Sequence, residues 1–341
     1  MHYQYIQFFI IRQSVYEKLF TSVRMLYKIN SEENIRHLPD EMPRSFYMLS
    51  GREDLMAYRI VSDSSSDILK KDDPNYRSVP LHILFGDQDW PDTADTDLEA
   101  FDAAMDANTG RSSTSCPSPL EWYQAFGDAE VVYCFTITYS LSGSYNSAMT
   151  AKSMYEEEFP ERHVYVCDSY ATGGRMVLMM DYLKELLDAG TAYEEAYHKV
   201  MRYRDQTELM FALQSMKMLA ANGRVSPLVA KAAGILDMRL IGRASEEGKL
   251  TLIDRHRGAR RVLLGTFKQM LAYGYNGGRV VISHNRNPED ANSLAKLIRE
   301  KFGEKVWIDI HRTTELCSYY AEKGGYIIGF EKKDCDRPLP A

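Results

Sequence analysis

The 341-residue sequence lacks several features that would place it in a broad functional class. It has no apolar run of about 20 residues, the length that a membrane-spanning helix needs. The short stretch YIQFFII near the start is interrupted by Gln7 and is a poor signal peptide. Positive charge is not in excess either, since 41 Lys and Arg stand against 48 Asp and Glu for a net charge of −7. We therefore expect no membrane span and no nucleic acid partner.

Motifs for cofactor chemistry are also missing from the sequence. The five cysteines are an odd number without CxxC spacing, and they lie in or beside apolar segments, which favours reduced thiols in a cytoplasmic protein. The eight histidines form no group with metal-ligand spacing. No segment matches GxxxxGK[ST] or GxGxxG, and none matches the GxSxG pattern of serine hydrolases. The sequence therefore predicts no metal and no nucleotide cofactor.

The length and the 45% hydrophobic content are enough for two domains. Residues 1–55 show no clean hydrophobic period and read as an appendage. A genuine helical extension and a mis-assigned start both fit, because Gly51-Arg52-Glu53 can be encoded by a purine-rich run, like a ribosome-binding site ahead of Met56. From Tyr58 onward, short apolar runs alternate with amphipathic segments, which is typical of α/β proteins. We predict a parallel-sheet α/β domain over 56–206 and an α+β domain over 207–341.

Three segments share one pattern, in which a predicted strand ends in Ser and Thr residues at the start of a helix. They are VSDSSSD (61–67), TSCPSP (114–119) and TYSLSGSYNSA (138–148). The carboxyl ends of parallel strands lie at one edge of a sheet, and free N–H groups at helix starts favour an anion. Each segment alone reads as an ordinary helix cap, but the three together predict a site for a carboxylate or another small oxyanion. We expect Ser64 and His284 to line the same cleft.

Arg224 stands in the short turn NGRVSP (222–227) between two predicted helices. Two interpretations remain open for it. It is either a surface arginine in a tight helix connection or a contact for an anion or a partner protein. The basic stretch DRHRGARR (254–261) adds positive charge to the same half of the chain.

Taken together, the order and spacing of several motifs resemble those of the DegV family, which are bacterial fatty-acid-binding proteins. The resemblance extends from about Ala57 to Glu331. The motifs are YRIVSDSSSDI, TSCPS, LSGSYNSA, VYVCDS, LQSMKMLAANGRVS, RHRGARR and GGYIIGFE. The resemblance implies one long-chain fatty acid in a cleft between the two domains. It also implies an acyl-carrying subunit without chemistry of its own, which presents the carboxylate to the separate ATP-binding subunit of a fatty acid kinase for acyl-phosphate formation.

The family pattern also implies which residues hold the carboxylate. It points to Thr114 and Ser142, with Thr138 and Ser144 next in line. Many members have a histidine in a C-terminal HTGPG-like segment, whereas this chain has Tyr320, which can donate a hydrogen bond but brings no switchable charge. Arg224 is the expected contact for the kinase subunit.

Two rival functions remain open at the level of sequence. The first is a hydrolase or transferase that acts on a small acyl substrate with Ser142 or Thr114 as nucleophile. The second is a regulatory module that binds some other small carboxylate. Fatty acid bound to the purified protein would support the carrier function over both of these alternatives.

Overall fold

A computed structural model describes residues 57–226, 238–333 and 335–337 of the chain. The predicted appendage over 1–55, the start at Met56 and the helix predicted for LVAKAAGIL (228–236) lie outside the described residues. Among the helices within those ranges, none combines the length and the hydropathy that a bilayer crossing requires.

The described strands and helices alternate along the chain, as the sequence pattern predicts. The strands are β1 (Tyr58–Asp63), β2 (Tyr76–Val79), β3 (His82–Phe85), β4 (Gln88–Pro91), β5 (Ser112–Ser115), β6 (Val131–Thr136), β7 (His163–Asp168), β8 (Thr207–Leu213), β9 (Met238–Ala244), β10 (Leu250–Arg257), β11 (Tyr275–His284), β12 (Ile308–Arg312) and β13 (Tyr326–Lys332). The helices are α1 (Leu98–Ala107), α2 (Pro119–Phe126), α3 (Ser144–Glu158), α4 (Gly174–Asp188), α5 (Tyr193–Asp205), α6 (Lys217–Ala221), α7 (Ala259–Ala272), α8 (Pro288–Phe302) and α9 (Glu315–Ala321).

The N-terminal part contains a four-stranded sheet in the order β2-β1-β6-β7, and every neighbouring pair in it is parallel. The strand β6 is buried at all six positions, as expected for a parallel strand covered on both faces. The C-terminal part contains a separate six-stranded sheet in the order β10-β9-β8-β13-β11-β12. Only β11 and β12 run parallel in this second sheet. The predicted fold class, a parallel sheet followed by a mixed sheet, is confirmed.

The helix α4 lies between the two sheets and belongs to the core of both. Its buried residues cluster with Phe135 of the first sheet and Val281 of the second. Its first residue, Gly174, lies so close to β11 and β13 that an added Cβ would be 2.8 Å from the Cβ of Val281. The strand β13 also has a glycine where it meets this helix, and a Cβ added to Gly329 would lie 2.2 Å from the backbone nitrogen of Arg175. The two glycines therefore allow the helix to pack directly on the sheet.

The boundary between the two predicted domains, at residue 206, stays a proposal.

A third sheet, antiparallel and in the order β4-β3-β5, corrects part of the sequence interpretation. The apolar run over 79–85 takes part in two short strands, which belong to different sheets and are separated by Pro80 and Leu81. Thr114 lies on β5 and so reaches the site from this added sheet, not from the edge of the parallel sheet.

Strand β1 is followed by a short 3-10 turn over Ser64–Ser66, where the sequence predicted an ordinary helix. The N-terminus of α2 is as predicted, with Ser118 as the cap and Pro119 in the first turn.

Candidate functional site

An apolar pocket lies where the loops after β6 and β7 face the second sheet and the helix α9. It encloses about 700 Å³ of space outside protein atoms, including its open mouth. Most of its lining side chains are apolar, and β8 contributes three of them, Leu209, Phe211 and Leu213. The pocket suits a ligand that is largely hydrocarbon.

Four of the residues predicted from the sequence line this pocket, namely Thr114, Ser142, Tyr320 and Arg224. The hydroxyl oxygens of Thr114 and Tyr320 lie 2.7 Å apart, which is a hydrogen bond. The guanidinium of Arg224 is 5.9 Å from the centre of the Tyr320 ring. The pocket therefore combines an apolar wall with hydroxyl groups and one cation, Arg224, which the sequence predicted as a partner contact and not as part of the carboxylate site.

Local structure places each of these polar groups. Ser142 lies in the turn before α3, and its Oγ accepts a hydrogen bond of 3.3 Å from the backbone N–H of Ser144. Because the oxygen of Ser142 is the acceptor in that bond, its own hydrogen can be donated to a ligand. Arg224 donates from Nε to the carbonyl oxygen of Leu141 at 3.2 Å, which ties the turn after α6 to the turn before α3. The two turns thus hold their polar groups against each other.

Tyr320 lies in the last turn of α9 and is partly buried. Burial raises the pKa of Tyr320, while the hydrogen bond with Thr114 and the charge of Arg224 act in the opposite direction, and the pKa stays above its ordinary value. The phenol is therefore neutral at physiological pH and acts as a hydrogen-bond donor or acceptor.

The other predicted residues lie outside the lining of this pocket. Ser144 donates its hydroxyl hydrogen to Oδ2 of Asp63 at 2.6 Å. The hydroxyl of Thr138 lies 3.1 Å from that of Ser140, and Oγ of Ser64 accepts from the backbone N–H of Leu81 at 3.0 Å. These hydroxyl groups connect the loops around the pocket, and their contact with a ligand stays a prediction.

His284, at the end of β11, is also outside the lining. Its Nδ1 accepts a long hydrogen bond of 3.4 Å from the backbone N–H of Asn287. Burial lowers the pKa of His284, and the nearby charges of His311 and Arg312 lower it further. The ring is therefore neutral at physiological pH, and its role at the cleft stays a prediction.

Asp63 organises the serine-rich loops, and the sequence interpretation missed this role. Its fully buried carboxylate accepts hydrogen bonds from the hydroxyls of Ser144 and Ser65, at 2.6 and 2.5 Å, and from the backbone N–H of Ile137 at 2.9 Å. Burial raises the pKa of Asp63 to about 6, although these hydrogen bonds lower it. The signal was available, because Asp63 ends β1 next to the serine run.

Thr172 and Cys317 also line the pocket and were not predicted. The hydroxyl of Thr172 donates to the carbonyl oxygen of Ser65 at 2.8 Å and lies 3.3 Å from the sulfur of Cys317. Burial raises the pKa of the Cys317 thiol well above its ordinary value, so the sulfur is a neutral part of the wall. No sequence motif distinguishes these two residues from core residues.

A hydrogen-bonded row of serine, histidine and aspartate lies elsewhere in the molecule. Nε2 of His311 is 3.0 Å from the hydroxyl of Ser283, and its Nδ1 is 3.1 Å from Oδ2 of Asp309. Ser283 is fully buried, and none of the three lines the pocket. The described lining contains no histidine at all, so Ser142 and Thr114 have no imidazole base within it.

Comparison with known proteins identifies relatives over most of the chain. The model of the DegV family, described as "Uncharacterised protein, DegV family", matches residues 57–333. A DegV domain-containing protein of Streptococcus pneumoniae is 36% identical over 280 residues, which cover 81% of this chain and 99% of the relative.

Two similar crystal structures contain fatty acids. A DegV family protein from Eubacterium eligens loaded with heptadecanoic acid is 36% identical, with a TM-score of 0.79, and covers 81% of this chain and 100% of its own. The Fatty Acid Kinase (Fak) B3 protein of Streptococcus pneumoniae loaded with linoleic acid is also 36% identical with a TM-score of 0.79, and covers 82% of this chain and 100% of its own.

Proposed function

Because the chain belongs to the DegV family, we propose that it binds one long-chain fatty acid in the pocket, with the carboxylate held by Thr114, Ser142 and Tyr320. The observation that carries this proposal is the pocket itself, whose wall is mostly apolar and includes these three hydroxyl groups. The two loaded relatives support it, since both bind a long acyl chain.

Burial of the acyl chain would supply most of the affinity. Each buried methylene contributes about 0.8 kcal/mol, so a long tail binds strongly even without its head group. The hydroxyl groups then set the orientation, because hydrogen bonds to a charged oxygen form only when the carboxylate is at their end of the pocket. Thr138 and Ser144 remain secondary candidates for this contact.

The second part of the proposal is that the protein presents the carboxylate to the ATP-binding subunit of a fatty acid kinase in the cytoplasm. The name of the Streptococcus pneumoniae relative supports a kinase-associated role. Arg224 suits the contact between the two proteins, because it lines the pocket and is only partly buried. Phosphoryl transfer would then occur on the partner, and this chain would act as the carrier.

The test is to purify the protein from bacterial cells, extract it with organic solvent and measure the fatty acid by mass spectrometry. We expect a fatty acid in a ratio near one to one with the protein. A lipid-free protein that also fails to take up added palmitate or oleate would contradict the proposal. Recovery of a different small carboxylate would favour the regulatory module instead.

A further inference from the structure

One row of residues runs across four neighbouring strands of the second sheet, and two of its members, Phe211 and Ile327, line the pocket. Ile327 on β13 pairs with Phe211 on β8, Phe211 pairs with Gly242 on β9, and Gly242 pairs with Leu252 on β10. Directly opposed residues of antiparallel strands have their side chains on the same face of the sheet. The row therefore has three large apolar side chains and one gap, at Gly242.

The ring of Phe211 occupies the gap over Gly242. A Cβ added to Gly242 would lie 2.1 Å from Cζ of Phe211, 2.4 Å from its Cε2 and 2.8 Å from the backbone oxygen of Thr251. Such distances are far below van der Waals contact, so a side chain at this position and the present position of the ring exclude each other. Phe211 lines the pocket. The absence of a side chain at 242 thus lets the ring lie against the sheet and leaves pocket space above it.

The neighbours of Phe211 limit where its ring can move. Leu209 and Leu213 flank it along β8 on the same face, and both also line the pocket. Ile327 and Leu252 flank the row from the adjacent strands, and all five residues belong to one packed cluster. The sheet lies below the ring and these neighbours pack around it, whereas the pocket is on its open side, so we expect a ring displaced from Gly242 to move toward the pocket.

We propose that the Gly242–Phe211 pair sets the length of the acyl chain that the pocket accepts, an inference that rests on the proposed fatty acid function. The glycine keeps the ring down and so keeps room for the methylenes of a long chain. Each methylene of the ligand that no longer fits in the pocket lowers the affinity for the fatty acid on the order of fourfold, the equivalent of about 0.8 kcal/mol. The pair would therefore discriminate among fatty acids by length and not by head group.

The experiment measures dissociation constants for myristate, palmitate and stearate with the wild type, Gly242→Ala, Phe211→Leu and the double variant. In Gly242→Ala, we expect the affinity for stearate relative to myristate to fall on the order of tenfold. The displaced ring would occupy pocket space equivalent to about two methylene groups of the ligand. Phe211→Leu should shift the preference toward stearate. The double variant should move back toward the wild-type preference, since the smaller side chain at 211 no longer meets the new methyl group and only its contact with the backbone oxygen of Thr251 remains.

A matched control is Gly278→Ala on β11 of the same sheet. It is also crowded, though less so than Gly242, since an added Cβ would lie 2.8 Å from the Cβ of Glu331, and it is not in the pocket lining. It should lower stability without changing the length preference. If Gly242→Ala does not fold, Phe211→Leu alone tests the inference. An unchanged preference for stearate over myristate in Phe211→Leu then overturns it.

The two proposals fail in different ways. A wild type that binds none of the three acids contradicts the proposed function itself. A wild type that binds them, with an unchanged preference in folded Gly242→Ala or no restoration in the double variant, overturns only the length inference.

Discussion

Thr114 and Tyr320 are separated by 206 residues along the chain, yet their hydroxyl oxygens lie 2.7 Å apart in the pocket. One comes from an antiparallel strand of the added sheet and the other from the last turn of α9. The bond uses the hydrogen of one hydroxyl, so the other hydroxyl keeps its hydrogen for a carboxylate placed beside the pair.

Replacing Thr114 by valine keeps the shape of the side chain and removes its hydroxyl. We expect the fold to be intact and the affinity for palmitate to fall on the order of ten- to a hundredfold, since a hydrogen bond to a charged group is worth about 1.5–3 kcal/mol. Titration calorimetry with delipidated protein measures this. Ser115→Ala, on the exposed next residue of β5, is the control. A Thr114→Val/Ser142→Ala double variant that binds like the wild type would show that the carboxylate lies elsewhere.

The pH dependence of binding should distinguish Tyr320 from a histidine placed at the same position. Tyr320 is neutral at physiological pH because burial raises its pKa, whereas a histidine has an ordinary pKa of about 6.5. In Tyr320→His, the affinity for a fatty acid should increase as pH falls through this value, because the imidazole becomes a cation beside the carboxylate. Tyr320→Phe has no group to titrate, so the difference between the two variants isolates the effect. Equal pH profiles for both variants would place residue 320 away from the head group.

Asp63 should make the protein less stable as pH rises from about 4 to about 6. Its pKa is raised to about 6 in the folded protein and is about 3.9 in an unfolded chain. Between these values the folded state holds the proton more tightly, so this group lowers the free energy of unfolding as pH rises from about 4 to about 6.

Asp63→Asn removes this titration, so the unfolding free energy of the variant minus that of the wild type should increase across the same pH window. Urea unfolding at several pH values measures the difference, in which the contributions of all other groups cancel. A difference that stays constant or decreases with pH would contradict the buried position of this carboxylate.

Arg224→Ala should keep bound lipid and slow acyl-phosphate formation on the order of tenfold with a cognate kinase subunit, ATP and magnesium. The three hydroxyl groups proposed to hold the carboxylate are unchanged in this variant, whereas the forked cation that suits phosphate or carboxylate groups on a partner is lost. Arg224→Lys should recover only part of the rate. Arg202→Ala, an exposed arginine on α5, is the control.

Unchanged turnover together with weaker lipid binding would assign Arg224 to the pocket alone. That outcome has a structural basis, since Arg224 is among the lining residues.

Much of the fold follows from local patterns in the sequence. The apolar run at 207–213 is the strand β8, and Ser118-Pro119 begins the helix α2. Such elements depend on the residues within a few positions of each other, so strand length, helix caps and the alternation of types are readable from the sequence. The serine-rich turn after β6 was recognised for the same reason, because hydroxyl groups at a helix start have a local chemical meaning.

The tertiary structure alone decided which of these groups meet. Thr114 belongs to a separate antiparallel sheet, and Ser144 donates its hydroxyl to Asp63 instead of lining the pocket. The packing of Phe211 over Gly242 and the row of Ser283, His311 and Asp309 depend on the order of strands in the second sheet. Strand order is set by the burial of whole faces against each other, a property of the assembled core that no short stretch of sequence contains.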